Sequence, residues 1–340
     1  LHLSIRRQRQ MCIRDRDDFA TFHTQNWTRL EPELLELDTM RRHALSRIAV
    51  LAGGLAVLAL GIAGLILASL AEPWLALIPL VIGILIGLAG SSWLSAGYRA
   101  SFKERIVGSL VRSVNPSLHY AAKDSIAEEE FQRSRLFTQG IDRFSGEDMV
   151  QGQIGATALR FSEIHAEYKT TSRDSNGSTD TNWHTIFKGI FFIADFNKHF
   201  AGVTVVRPDT AQRLFGQLGQ MLQSVGNTFS DLELVTLENP EFEEAFVVLS
   251  SDQVEARYIL STSLMERILD YRRRTGRTLA LSFVASQINI GITTSRDLFE
   301  PPLFKSCANP DLIREYLEDL LMMIAIVEDL NLNLRIWSKQ

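Results

Sequence analysis

Cysteine is nearly absent. Cys12 and Cys307 are the two thiols in 340 residues, too few and too far apart for a disulfide framework or a zinc ligand set. Such scarcity suits a reducing compartment. An excess of positive charge is also missing: 35 Lys and Arg against 40 Asp and Glu leave a net charge of -5. That balance excludes the basic footprint expected of a nucleic-acid-binding protein. No glycine-rich phosphate loop, His-Glu-x-x-His pair or nucleophile elbow occurs, so no familiar catalytic class or cofactor is implied. The last deficit is local. Residues 48–94 contain no Lys, Arg or Asp, and a single acid, Glu72.

That run sets the reading of the chain. A hydrocarbon layer about 30 Å thick needs roughly 20 apolar residues at 1.5 Å rise each. Residues 48–70 satisfy this once and residues 74–94 again, around Ala71-Glu72-Pro73-Trp74. The pattern predicts a transmembrane helical hairpin, too long and too late in the chain for a cleavable signal peptide. Arg41, Arg42 and Arg47 precede it, and Arg99, Lys103 and Arg105 follow, while the turn carries no basic residue. The positive-inside rule then puts both ends of the hairpin, and with them both termini, in the cytoplasm and Glu72 outside. Trp74, Trp93 and Tyr98 suit the headgroup layer. Gly83-x-x-x-Gly87 fits the small-residue packing motif, either between the two helices or between copies of the chain in a homo-oligomer. With no ionisable residue inside either span, a transporter pathway is not expected.

The flanks follow from local pattern. Residues 1–16 open on Leu and include Arg6-Arg7-Gln8-Arg9 and Arg14-Asp15-Arg16. They resemble translated adapter read-through rather than native sequence, the alternative being a basic tail on anionic lipid. Residues 17–47 form a cytoplasmic amphipathic segment. Its helix is expected to open near Thr28-Arg29-Leu30-Glu31, which has capping-box spacing, with Leu30, Leu34, Leu37 and Met40 as its stripe. Residues 95–116 form a juxtamembrane helix with Phe102, Ile106, Leu110 and Val111 as a matching stripe, ended by Asn115-Pro116. An antiparallel stalk is the simpler arrangement, and a helix lying flat on the membrane the other.

Residues 117–340 read as a cytoplasmic α+β domain. Ser125 is expected to cap a short helix to about Ser134, and residues 144–147 to form a turn. Strands are expected over 149–154, 158–168, 185–196 and 203–206, with residues 170–182 as a long exposed loop. An amphipathic helix should open at Pro208 and Asp209. Residues 232–237 and 242–249 read as strands across Glu238-Asn239-Pro240, followed by helices over 253–258 and 263–274. A hairpin pairs 279–284 with 288–292, and Asn309-Pro310 opens a long C-terminal helix. The expected class is α+β: an antiparallel sheet closed by that helix, behind a two-helix membrane hairpin.

Candidate chemistry is sparse. Glu163, His165 and Glu167 alternate on one predicted strand and share a face, where a carboxylate-flanked histidine could act as a base or a metal ligand; a solvated polar face is the plainer account. Asp195 and Asn197 form a candidate turn, as Asp and Asn commonly do by bonding their own backbone. Arg272, Arg273, Arg274 and Arg277 make the most basic cluster. It is either a helix-end charge pairing or a contact with lipid headgroups.

Several blocks carry a family resemblance. Phe144-Ser145-Gly146-Glu147-Asp148, Phe161-Ser162-Glu163-Ile164-His165-Ala166-Glu167 and Ala194-Asp195-Phe196-Asn197-Lys198 occur in order with three others. Those are the blocks 251–258, Leu298-Phe299-Glu300-Pro301 and Asp329-Leu330-Asn331-Leu332-Asn333. Together they resemble an uncharacterised bacterial membrane-protein family, numbered thirty-one thirty-seven among the domains of unknown function, from about Thr28 onwards. The resemblance implies an inner-membrane hairpin with a cytoplasmic domain, and no catalytic residue to carry over. Two expectations remain. One is an interaction or scaffolding module that binds the lipid bilayer and a protein partner; the other is a membrane-tethered hydrolase or metal enzyme centred on Glu163, His165 and Glu167.

Overall fold

The computed structural model describes residues 2–69, 73–173, 179–196, 198–208, 231–330 and 332, with side chains from residue 23 onward except that of residue 328. They fall into two compact units, Leu1–Ser113 with Phe299–Glu318, and Val114–Leu298 with Asp319–Gln340.

The first unit is built on two long helices. α1 spans His2–Ser69, and a short 3-10 turn, Pro73–Ala76, leads into α2 at Leu77–Phe102. A π-turn over Lys103–Val107 and α3 at Gly108–Val114 continue the second arm. α1 does not begin at Thr28 as its capping-box spacing predicts. The Thr28 hydroxyl instead donates back to the Thr24 carbonyl at 3.0 Å, the behaviour of a threonine inside a helix. Pro32 is likewise accommodated within α1.

Leu30, Leu34 and Leu37 are buried, as are Phe102, Ile106, Leu110 and Val111. The two stripes therefore meet as an antiparallel stalk. Arg105 crosses between the arms to Glu36 at 2.8 Å and Glu33 at 3.4 Å, and Arg29 donates to the Ser109 carbonyl at 3.3 Å. Beyond the stalk both helices are long and apolar enough to cross a membrane. Their outer faces expose Val50, Val57, Leu60, Leu65, Ile84 and Leu88, with Val57 74% exposed.

Among the described residues the second unit holds a nine-stranded antiparallel sheet in the order β1-β2-β3-β4-β9-β8-β5-β7-β6. The strands are β1 Leu118–Ala121, β2 Arg143–Ile154, β3 Thr157–Arg173, β4 Thr179–Asp195, β5 Thr204–Pro208, β6 Glu233–Leu234, β7 Phe246–Ser250, β8 Leu279–Val284 and β9 Gln287–Thr293. One face packs Ile164, Ala166, Phe187 and Phe191 around Phe131 of α4, Glu128–Arg133. The other carries Phe161, Ile190, Phe192, Leu281 and Ile290, all buried. There Ile268 and Tyr271 approach Leu279, Leu281 and Ile290, together with Ile326 of the C-terminal helix, Pro310–Asp329, and Leu330 just past its end. Covering on both sides explains the continuous apolar run Ile190–Ala194 in β4.

Four local expectations give way. Residues 144–147 lie inside β2, where an irregularity falls between Glu147 and Val150 and Asp148 takes φ +61. Ser125 does not cap α4; Ala127 stands at that position without a side-chain bond. Most of the expected loop at 170–182 belongs to a two-stranded ribbon, with Thr170 opposite Asn182 and Arg173 opposite Thr179. Its polarity reflects two exposed faces. Asn239-Pro240 opens a helix, α5 at Pro240–Ala245, because the Asn239 side chain accepts from the Phe242 N–H at 3.0 Å; the strand starts only at Phe246. α6 at Gln253–Ile259 and α7 at Thr262–Thr275 follow closely where expected, the first capped by Asp252. The C-terminal helix is then α8. The helix expected after Pro208 lies outside the described residues.

Candidate functional site

Glu163, His165 and Glu167 share one side of β3 but do not act as one group. Glu163, 8% exposed, sits opposite Glu147 on β2 and Ile190 on β4. Its Oε2 accepts the Leu298 N–H at 2.9 Å. Burial pushes its carboxyl up to about 7; the Leu298 N–H opposes the rise, while the charges of Asp297, Asp148 and Glu147 add to it. Lys188 binds Asp297 at 2.8 Å. His165 lies 3.6 Å from Glu167, which binds Arg143 at 3.0 Å. Among the described residues no ion pair links Glu163 to either neighbour, and no three His, Cys, Asp or Glu side chains are grouped to hold a metal ion. A buried carboxyl titrating near neutrality is a feature of many acid–base sites. Here its oxygen is committed to a backbone amide.

Asp195 ends β4 opposite Gln287, and Asn197 lies outside the described residues. The arginine cluster is dispersed among partners. Arg272 donates to the Ala245 carbonyl at 2.9 Å and lies over the Phe246 ring. Arg273 binds Asp270 and Glu241 at 2.8 and 3.0 Å. Arg274 pairs with Asp329, and Arg277 approaches Asp319 at 3.6 Å. These are mostly helix-end and inter-element pairings.

Sequence reading passed over the most connected charge in the first unit. Asp38 is buried and accepts from Arg41 Nε at 2.8 Å and Arg42 Nε at 2.9 Å. It also accepts from Ser306 Oγ at 2.9 Å and the Cys307 N–H at 3.3 Å. Burial would raise its carboxyl, but bonds from Arg41 and Ser306 with the Arg41 charge prevail and hold it at about 2. Arg41 is itself buried and donates to the Leu303 carbonyl at 3.0 Å. The Tyr98 hydroxyl donates to the Pro302 carbonyl at 3.0 Å, and the buried Lys103 binds Glu300 at 2.8 Å. Cys307 is buried, its Sγ 3.6 Å from the Leu34 carbonyl; burial pushes the thiol up. The Asp38-x-x-Arg41-Arg42 spacing was the available signal, though nothing in sequence tied it to Ser306 or Cys307.

Gly83 and Gly87 face the first helix. A Cβ at Gly83 would lie 3.5 Å from Ala59 Cβ, and one at Gly87 would lie 3.8 Å from Leu55 Cδ1. Gly83 also borders an apolar cleft of about 450 Å³ lined by Leu55, Ile62, Ile78, Ile82 and Ile86.

Residues 185–332 match a family described as protein of unknown function, DUF3137, the family named by the sequence blocks. The match is shorter than the resemblance, which reaches back to about Thr28. No curated protein matches the chain. Among solved structures, the crystal structure of the mycobacterial trehalose monomycolate transport factor A, TtfA, is similar at 12% identity. That alignment covers 64% of this chain and 95% of the other with a TM-score of 0.32, a level at which neither fold nor role transfers.

Proposed function

Taking residues 185–332 as a DUF3137 domain, we propose that the protein is a membrane-anchored interaction or scaffolding module. In this reading residues 48–94 form a bilayer hairpin in a bacterial inner membrane, and the sheet domain is presented to a protein partner in the cytoplasm. The exposed apolar faces of α1 and α2 carry the reading. Leaving a Val, Leu or Ile side chain in water forfeits about 1.5–3 kcal/mol each. Val50, Val57, Leu60, Leu65, Ile84 and Leu88 together forfeit roughly 10 kcal/mol or more, comparable with the whole stability of a domain. Lipid removes that penalty. The basic residues at both cytoplasmic ends, and their absence from the turn, support the orientation. The commitments of Glu163 to Leu298 and of Glu167 to Arg143 favour a structural role for those side chains over a hydrolytic one.

After an alkaline carbonate wash of membranes, the full chain is expected to stay in the pellet. Cross-linking in intact cells is expected to join the sheet domain to a discrete protein. Release of the chain by carbonate contradicts the anchor, and the absence of any cross-linked species contradicts the scaffold.

A further inference from the structure

The segment after Phe299 climbs the two helices and descends again. Glu300 meets Lys103 at 2.8 Å, and Pro302 meets Tyr98 at 3.0 Å, four residues beyond Leu94. Leu303 meets Arg41 at 3.0 Å, Ser306 meets Asp38 at 2.9 Å, Cys307 meets Leu34, and Pro310 meets His23 at 3.0 Å. On α2 these contacts move towards the apolar run, and on α1 they move away from it. The bend at the apex therefore runs from Pro302, its contact nearest the apolar run, to Ser306. There stands Phe304, 84% exposed, followed by the exposed Lys305.

At 1.5 Å per residue, Tyr98 lies about 6 Å and Arg41 about 10 Å beyond the ends of the apolar run. The headgroup layer is roughly 5–8 Å deep on each side of the hydrocarbon. Pro302, at the level of Tyr98, lies within that layer, and the exposed Phe304 stands two residues past it. Exposed Arg42, Arg47 and Arg99 surround the same level; Arg42 shares Asp38, and Arg99 lies 3.5 Å from Glu300. We propose that this apex is a membrane-interface wedge, with the Phe304 ring set among anionic headgroups and Lys305, Arg42, Arg47 and Arg99 binding their phosphates. The proposal rests on the bilayer reading of residues 48–94 and is continuous with that apolar surface. Its effect would be to clasp the 299–318 segment between the helix pair and the leaflet.

The test uses the full chain in phosphatidylcholine–phosphatidylglycerol vesicles, with and without brominated acyl chains. The tryptophan added by Phe304→Trp is compared with wild type and with Leu35→Trp, an exposed control on α1 about 20 Å below the apolar run. The emission added by Phe304→Trp is expected to shift to the blue, lose most of its intensity in brominated lipid and resist acrylamide. The emission added by Leu35→Trp is expected to do the opposite. If bromine quenches the wild-type signal, through Trp74 and Trp93, but not the Phe304→Trp increment, the wedge is overturned and the anchor stands. If the increment is shielded from both bromine and acrylamide, a protein surface covers the apex and the wedge is again overturned. If wild type shows no bromine quenching, the bilayer reading fails and takes the wedge with it.

Discussion

Replacing Asp38 with alanine is expected to destabilise the helical unit by about 3–5 kcal/mol, the cost of leaving a buried charge without its partner. The geometry explains the size. Asp38 and Arg41 are both nearly inaccessible, and Asp38 also holds Ser306 and Cys307. Without it, Arg41 keeps the Leu303 carbonyl but loses its countercharge, and the segment loses two tethers. The solvent-exposed pair of Arg105 with Glu36 makes the contrast, since water screens such a pair and its removal is expected to leave stability nearly unchanged. Thermal unfolding of the full chain in detergent measures both. A double change, Asp38→Leu with Arg41→Met, is expected to recover much of the loss, because it removes both buried charges. A loss below about 1 kcal/mol for Asp38→Ala would contradict this account. Because the folded carboxyl lies at about 2, below its ordinary value of 3.8, its contribution is complete above that ordinary value. It fades as the pH falls towards 2.

Glu163→Gln is expected to act in the opposite direction. The folded carboxyl of Glu163 lies at about 7, above its ordinary value of 4.5, so between these values the folded chain binds the proton that the unfolded chain has released. Stability therefore declines as pH rises from about 4.5 to about 7, by on the order of 3 kcal/mol, and is level above. Glutamine keeps an oxygen for the Leu298 N–H and carries no charge. At pH 8 the variant is expected to be more stable than wild type by up to that amount, and at pH 5 nearly equal to it. Denaturation of the full chain at the two pH values reads the difference. Equal destabilisation at both would show that the carboxylate is needed in its charged form.

These two residues also mark what sequence pattern reaches. The apolar run, the facing stripes at Leu30–Leu37 and Phe102–Val111, the helices near 253–258 and 263–274 and the β8–β9 hairpin were all legible, because each is set by neighbours within a few residues. Glu163 was legible as a polar residue on a strand but not as a buried acid, since the amide it bonds, Leu298, and the charge beside it, Asp297, lie more than a hundred positions away. Gly146 misled for a related reason. It reads as a turn glycine, yet in β2 a Cβ there would lie 2.6 Å from Ser125 Cβ and 2.7 Å from the Glu163 carbonyl. Close approach of another segment required it. Asn239-Pro240 serves a turn or a helix start equally well, and only the bond to Phe242 decides between them.

The anchor and its orientation are the central claim, and thiol labelling in spheroplasts tests them most directly. Ser69→Cys, at the end of α1, and Val254→Cys, exposed on the sheet domain, are made separately with Cys12 replaced by Ser and treated with a membrane-impermeant maleimide. The hairpin topology predicts that the Ser69→Cys variant reacts in intact spheroplasts and that the Val254→Cys variant reacts only after permeabilisation. Labelling of the Val254→Cys variant from outside, or protection of the Ser69→Cys variant until lysis, would contradict it.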